Sequence, residues 1–235
     1  MTGFYPRLLR LALIALFLLA ACETTPPAAG VTEAGAAASL PATTGGAPGT
    51  TSLAETPVDP TLYASRADGN WTLPAIDVAT FPPGLLRHTV PFETGEPPGA
   101  IVIDTKGPFL YLVEPEGQAI RYGIAVGREG FGWSGEGVIA RTARWPRWTP
   151  PPEMIARDPG LAQWAGGMPG GPRNPLGARA LYIYFDGADS GFRIHGTNEP
   201  RSIGWAASSG CFRMLNQDVV DLYERVRIGA PVKVM

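Results

Sequence analysis

The sequence predicts a mainly β domain behind a low-complexity N-terminal stretch, and three observations predict it. From Ala100 onward, short runs of β-branched and aromatic residues alternate with glycine and proline turns. One stretch, after Asn216, carries the apolar period of a helix. Between the strand-like runs lies a long segment, 149–177, rich in proline and glycine.

Taken in order, Ala100–Asp104, Phe109–Glu114 and Ile120–Ala125 read as strands. Lys106-Gly107-Pro108 and Glu116-Gly117 supply the turn chemistry between them. Further strands are expected at Gly137–Arg144, Ala180–Phe185, Phe192–His195 and Pro231–Met235, the last with a proline where a strand start tolerates one. The helix is expected to open on Asn216 as N-cap, with Asp218 in its first turn. Val219, Val220, Tyr223 and Val226 would share its buried face, and Gly229 follows its end. The composition of 149–177 predicts no regular element. Trp145, Trp148, Met154 and Trp164, in or beside it, suggest a lid over a site.

The N-terminal region reads differently. Arg7 and Arg10 precede an apolar run, Leu11 to Ala21, that is shorter than the ~20 residues a membrane span needs. It ends in Leu19-Ala20-Ala21-Cys22, which has the form of a lipobox. Residues 1–21 are therefore expected to be a lipoprotein signal peptide, with Cys22 lipidated. Acyl chains would anchor the chain stably, at ~0.8 kcal/mol per buried CH₂. Glu23 at the next position favours the outer over the inner membrane. Residues 22–60 are dominated by Ala, Thr, Gly and Pro and are expected to form a disordered tether. Residues 61–97, with apolar anchors Leu62, Tyr63, Trp71, Leu73, Ile76, Leu85 and Leu86, are expected to pack as an irregular lead-in. The compact domain is placed at 98–235.

Composition narrows the partners. A formal net charge of −2 with 17% charged residues over 235 residues carries no nucleic-acid footprint. With Cys22 lipidated, Cys211 is the remaining thiol of the two cysteines, and no internal disulfide is possible. A lone thiol in an oxidising compartment points to chemistry. His88, one of two histidines, has no metal-ligand spacing around it and is read as a satisfied structural residue.

The other histidine lies near the lone thiol. Ile194-His195-Gly196-Thr197-Asn198 is followed by Ser208-Ser209-Gly210-Cys211-Phe212-Arg213-Met214, with His195 and Cys211 sixteen residues apart. A thiol needs a base to become a nucleophile, and imidazole is the usual one near neutral pH. A glycine before the nucleophile lets backbone N–H groups approach a substrate carbonyl.

This stretch resembles the signature of the L,D-transpeptidase (YkuD-type) catalytic domain, in which a histidine element precedes S-H-G-C-(I/F)-R. Pro98–Asp104, Tyr122–Arg128, Asn174–Leu181 and Ser202-Ile203-Gly204 extend the resemblance in order. It implies a β-sandwich of mixed sheets with one or two short helices and a long lid loop. It implies Cys211 as nucleophile and His195 as base, the second ring nitrogen of His195 being oriented by the Gly196 carbonyl. Backbone N–H groups around Ser209, Gly210 and Cys211 would form the oxyanion hole. Arg213 would hold a substrate carboxylate or brace its loop, and Asn174 and Arg193 would support substrate binding. Ser209 stands where many family members have histidine, and its hydroxyl is expected to donate in place of that imidazole. The implied reaction is acyl transfer on peptidoglycan stem peptides, with release of D-Ala and transfer to a stem amine, a D-amino acid or an outer-membrane protein. The resemblance implies no metal or organic cofactor; the N-terminal signal leads to the expectation of a periplasmic location, and a monomer is expected. Two alternatives stay open at this point: a hydrolase that uses water as acceptor, and a non-catalytic wall-binding lipoprotein.

Overall fold

The computed structural model describes residues 58–128 and 133–235. The chain divides into two units, Met1–Thr51 and Ser52–Met235, and the described residues all lie in the second. The expected signal peptide, the Cys22 lipidation site and nearly all of the tether fall outside the described residues.

The lead-in is more ordered than its composition suggests. A 3-10 turn at Pro60–Tyr63 precedes β1 (Arg66–Asp68) and β2 (Trp71–Leu73), an antiparallel hairpin. Two more 3-10 turns and β3 (His88–Pro91) follow. The expectation of an irregular segment is thus corrected. Its regularity comes from pairing at a distance, β3 along β6, which local composition does not report.

The remaining elements are β4 (Ile101–Asp104), β5 (Phe109–Glu114), β6 (Gln118–Gly127), β7 (Gly135–Arg144), α1 (Pro152–Arg157), β8 (Arg179–Phe185), β9 (Ala188–His195), β10 (Ala206–Ser208), β11 (Phe212–Met214), α2 (Asn216–Arg225) and β12 (Pro231–Val234). Their pairing runs β6-β11-β9-β8-β7-β12-β4-β5 and returns to β6, so the sheet closes on itself. The pairing is mixed: β11 runs parallel to β9, and β12 parallel to β4, while the other pairs around the circuit are antiparallel. The ten-residue β6 makes one turn of this circuit. Its first half pairs with β5 and β3, and its second with β11 and β10. The predicted class, mainly β with mixed sheets and few short helices, is what the chain adopts.

Alternation along the strands decides which face is core. Ile101 and Ile103, Leu110 and Leu112, Leu181 and Ile183, Phe212 and Met214, and Val232 and Val234 meet in one buried cluster. Ile194 joins them from β9. Period two then places Arg193 and His195 of β9, and Cys211 and Arg213 around β11, on the opposite face. The core pattern therefore fixes the face on which the candidate site is built.

Helix α2 covers the core with Val219 and Leu222, and Val220 faces a second small cluster with Leu73. The expected partners Tyr223 and Val226 are only half-buried. The N-cap is Leu215 rather than Asn216, and no side chain caps it. The segment 149–177 also departs from expectation, since it contains α1 and a 3-10 run at Pro159–Trp164. Proline at the first helical position has no N–H to lose and a φ already suited to helix, so Pro152 starts a helix here rather than forbidding one.

Candidate active site

The outer face of β7, β8, β9 and β11 and the segment 147–154 enclose a cleft of about 530 Å³. His195, Cys211, Arg213, Arg193 and Ser209 line it. From the lid, so do Trp148 and Met154, whereas Trp145 turns away and donates its indole N–H to the Asp68 carbonyl at 3.1 Å. Trp164 does not line the cleft. Of the four expected lid side chains, Trp148 and Met154 line the cleft.

Sheet register brings the thiol and the imidazole together. In the parallel pair β9·β11, Phe212 lies opposite Ile194 and Arg213 opposite His195. One step back, Cys211 falls beside Arg193, diagonal to His195 on the same face. His195 is only 4% exposed, and its Nδ1–H donates to the Gly196 carbonyl at 2.6 Å. A carbonyl can only accept, so Nδ1 carries the proton and Nε2 is left as the basic nitrogen. Burial pulls the imidazole pKa down to about 4, helped by the arginines 213 and 193 and opposed by the Gly196 carbonyl. Burial pushes the Cys211 thiol up, against the Arg193 backbone N–H and the charges of Arg193 and Arg213. Both shifts favour neutral thiol and neutral imidazole at rest. The proton would then move when the sulfur attacks rather than before.

A bulge in β9 shapes the floor beneath the sulfur. Tyr182 pairs with Arg193 and Tyr184 with Asp189, so β9 carries extra residues between them. Gly191 takes φ 81° there, and the Ser190 hydroxyl holds the kink by donating to the Ile183 carbonyl at 2.5 Å. The kink turns the Gly191 carbonyl toward the thiol, at 3.9 Å from Cys211 Sγ. The sequence reading missed the bulge, although Ser190-Gly191 inside a strand was its signal.

Around Cys211, the structure changes one expected role and adds one the sequence did not offer. The 2%-exposed Ser208 braces the loop. Its hydroxyl donates to the Cys211 carbonyl at 2.5 Å and accepts from the Gly210 N–H at 3.1 Å. The Gly210 N–H is therefore engaged within the loop, and its expected place among the oxyanion donors is corrected. Gly210 contributes its φ of 115° instead, a conformation that suits glycine. Ser209 is exposed and lines the cleft, as its expected role requires.

Asn174 is also corrected. It is fully buried, its amide donating to the Pro146, Met168 and Pro169 carbonyls while its oxygen accepts from the Leu176 N–H. It ties the lid loop to itself and does not line the cleft. The residue that reasoning from sequence overlooked is Asn216. Its oxygen accepts from the Ala178 N–H at 2.9 Å and its amide donates to the Thr197 carbonyl at 2.8 Å. It thereby pins the strand carrying His195 to the start of β8. A Cβ at Gly196 would collide with the Asn216 oxygen, so a side chain there would displace this clamp.

Arg213 and Arg193 both reach the cleft, and both are paired. Arg213 donates to Glu199 at 2.9 Å, and Arg193 forms a two-pronged pair with Asp189 at 2.8 and 3.0 Å. His88 is a satisfied structural residue, as read from sequence: one ring nitrogen faces the Leu86 carbonyl and the other faces Arg121. Among the described residues, no three His, Cys, Asp or Glu side chains gather as a metal site, and no helix is long and apolar enough to cross a membrane.

A family model for the L,D-transpeptidase catalytic domain (YkuD) matches residues 98–234. The chain is 31% identical over 142 residues to the probable L,D-transpeptidase ErfK/SrfK of Escherichia coli K12, covering 57% of this chain and 43% of the relative. It is 36% identical over 96 residues to the probable L,D-transpeptidase YbiS of the same organism, covering 40% of this chain and 30% of the relative. The chain thus spans less than half the length of these curated relatives. A crystal structure from Brucella melitensis, described as a probable carnitine operon oxidoreductase, is 50% identical with a TM-score of 0.46 and covers 66% of this chain and 96% of that one.

Proposed function

We propose that this chain, which belongs to the L,D-transpeptidase (YkuD) catalytic domain family, is a cysteine-dependent L,D-transpeptidase acting on peptidoglycan stem peptides. The observation that carries the reading is the shared cleft of Cys211 and His195, with the Nδ1 proton of His195 held by the Gly196 carbonyl.

The reaction runs in two acyl transfers. Cys211 Sγ attacks the carbonyl of the third, diamino-acid residue of a stem tetrapeptide, and its proton passes to His195 Nε2. The C–N bond to the terminal D-Ala breaks, and the departing amine takes that proton. An acceptor amine then attacks the thioester, gives its proton to His195, and releases the thiol. N–H groups at Ser209 and Cys211, with the Ser209 hydroxyl, receive the oxyanion; one such donor contributes about 3 kcal/mol in the transition state. The acceptor is a second stem, a D-amino acid or an outer-membrane protein. Lipidation at Cys22 would hold the enzyme in the periplasm on the outer membrane, with the residues before the domain as its reach.

Intact mass after exposure to a carbapenem tests this. A single covalent adduct, absent in Cys211→Ala, is the expected result. An unmodified wild-type chain would overturn the catalytic reading. Products from a purified tetrapeptide then separate the outcomes: cross-linked dimer or amine exchange supports transfer, whereas free tripeptide alone assigns water as acceptor.

A further inference from the structure

The cleft carries a cationic row that the two-residue chemistry does not use. Four arginines line it, at positions 141, 147, 193 and 213, against a single glutamate, Glu199. Three of the four have visible occupations. Arg213 is bound to Glu199, Arg193 to Asp189, and Arg147 to the Gly166 carbonyl.

Arg141 differs. It stands on β7 directly opposite Tyr182 of β8, which stands opposite Arg193 of β9, beside Cys211. These positions form one transverse line across the sheet. The Arg141 guanidinium lies 3.4 Å from the centre of the Tyr182 ring, and that of Arg193 lies 4.6 Å from the same ring. Tyr182 thus carries the Arg141 guanidinium over its face. Among the described residues, Arg141 has no carboxylate partner. A guanidinium held on an aromatic face loses little freedom when it meets a planar anion, and its fork matches a carboxylate with two bonds.

We infer that Arg141, laid on Tyr182, is the residue that selects acyl donors bearing a free carboxylate near the reacting carbonyl. This deepens the function proposed above and rests on it. Three strand spacings separate Arg141 from Cys211, about 14 Å between backbones, and the long arginine side chain shortens that span at the level of the ligand. A carboxylate one or two residues along an extended donor from the scissile carbonyl fits such a gap. Arg193, already neutralised by Asp189, fills the space between as a second wall of the Tyr182 stack.

Alkylation of Cys211 tests the cation without needing turnover. Iodoacetate and iodoacetamide deliver nearly the same group to sulfur and differ in charge. Their rates at Cys211 are followed by peptide mass in the full chain, and the ratio of the two is the readout. The expected result is a fall of about three- to tenfold in Arg141→Met, the size of one lost charge acting through partly solvated space. The iodoacetamide rate should stay unchanged, which shows that the fold and the sulfur are intact. Arg141→Lys should keep most of the ratio, and Arg227→Met, outside the cleft, should keep all of it. A ratio unaltered in Arg141→Met, or lowered equally in Arg227→Met, overturns the inference. A second arm compares a donor peptide with its side-chain carboxylate free or converted to the primary amide. Wild type should show a lower KM for the acid, and Arg141→Met should lose that preference while kcat holds. Turnover with no ratio change sinks the Arg141 role and leaves the transpeptidase. The reverse pattern, a ratio change with no turnover, sinks the transpeptidase and leaves the cation.

Discussion

Ser208 and Ser209 are adjacent, chemically identical and used differently. The Ser208 hydroxyl is buried between the Gly210 N–H and the Cys211 carbonyl, so its removal strands two polar groups at the nucleophile. Leaving such groups unpaired costs about 1–3 kcal/mol. If that cost falls on the geometry of the loop, Ser208→Ala slows acylation of Cys211 by about ten- to a hundredfold. Stopped-flow acylation by a chromogenic β-lactam measures it, and a wild-type rate would show that the brace is not needed. Ser209→Ala gives the companion result. A rate equal to wild type would exclude its hydroxyl from the transition state. The sequence pointed to Ser209 because of the residue it replaces in the family pattern, whereas the bracing role of its neighbour depends on which way a tight loop turns. That Cys211 and His195 would face one cleft was legible, because residue type and spacing suggested it. Asn216 was legible as an important polar residue at a helix start but not as a clamp, since both of its partners lie far away in sequence.

At the level of elements, the strands were readable where β-branched and aromatic residues run together between turn residues, as in Ile101–Asp104 and Phe109–Glu114. β1, β2, β3 and β10 were not, because Arg66–Asp68, Trp71–Leu73, His88–Pro91 and Ala206–Ser208 hold no sustained run of β-branched and aromatic residues. The β1–β2 hairpin is nevertheless tied firmly to the domain. Asp68 at its turn makes a two-pronged pair with Arg179 at 2.6 and 2.7 Å, and Arg179 is 1% exposed at the start of β8. The Arg179 carbonyl in turn accepts from the Gly196 N–H beside His195. Removing one partner of a buried pair leaves an uncompensated charge, so Asp68→Ala should destabilise the domain by about 3–5 kcal/mol. Urea denaturation checks this. The double variant Asp68→Ala/Arg179→Met should recover part of the loss, because it deletes the stranded charge as well. The guanidinium holds the Asp68 carboxyl below the usual carboxylate range. This pair therefore contributes fully above the ordinary carboxylate pKa and is lost as pH falls through the lowered value.

Across the whole molecule, two buried groups, Asp218 and His195, set opposing pH dependences. Asp218 on α2 is fully buried, accepts from the Tyr63 hydroxyl at 3.0 Å, and faces Arg87 at 3.9 Å. Burial raises its pKa from 3.8 to about 7, with Asp221 adding to the shift and Arg87 and Tyr63 opposing it. The folded state thus binds a proton that the unfolded chain has released, and this group's contribution falls as pH rises from about 4 to about 7. His195 does the reverse. Its pKa of about 4 lies below the ordinary 6.5, so the unfolded chain binds the extra proton and stability rises with pH across that interval. Each slope approaches about 1.4 kcal/mol per pH unit midway between its group's folded and unfolded pKa values, and in the wild type they largely cancel between about pH 4.5 and 6.5. His195→Gln should therefore uncover a stability that declines with rising pH, and Asp218→Asn one that climbs. Urea midpoints at half-unit steps of pH read both. Asp68 does not interfere, because its lowered pKa confines it to more acid conditions. Profiles of the two variants that slope in the same direction would refute the opposition, and with it the burial that lowers the pKa of the His195 imidazole.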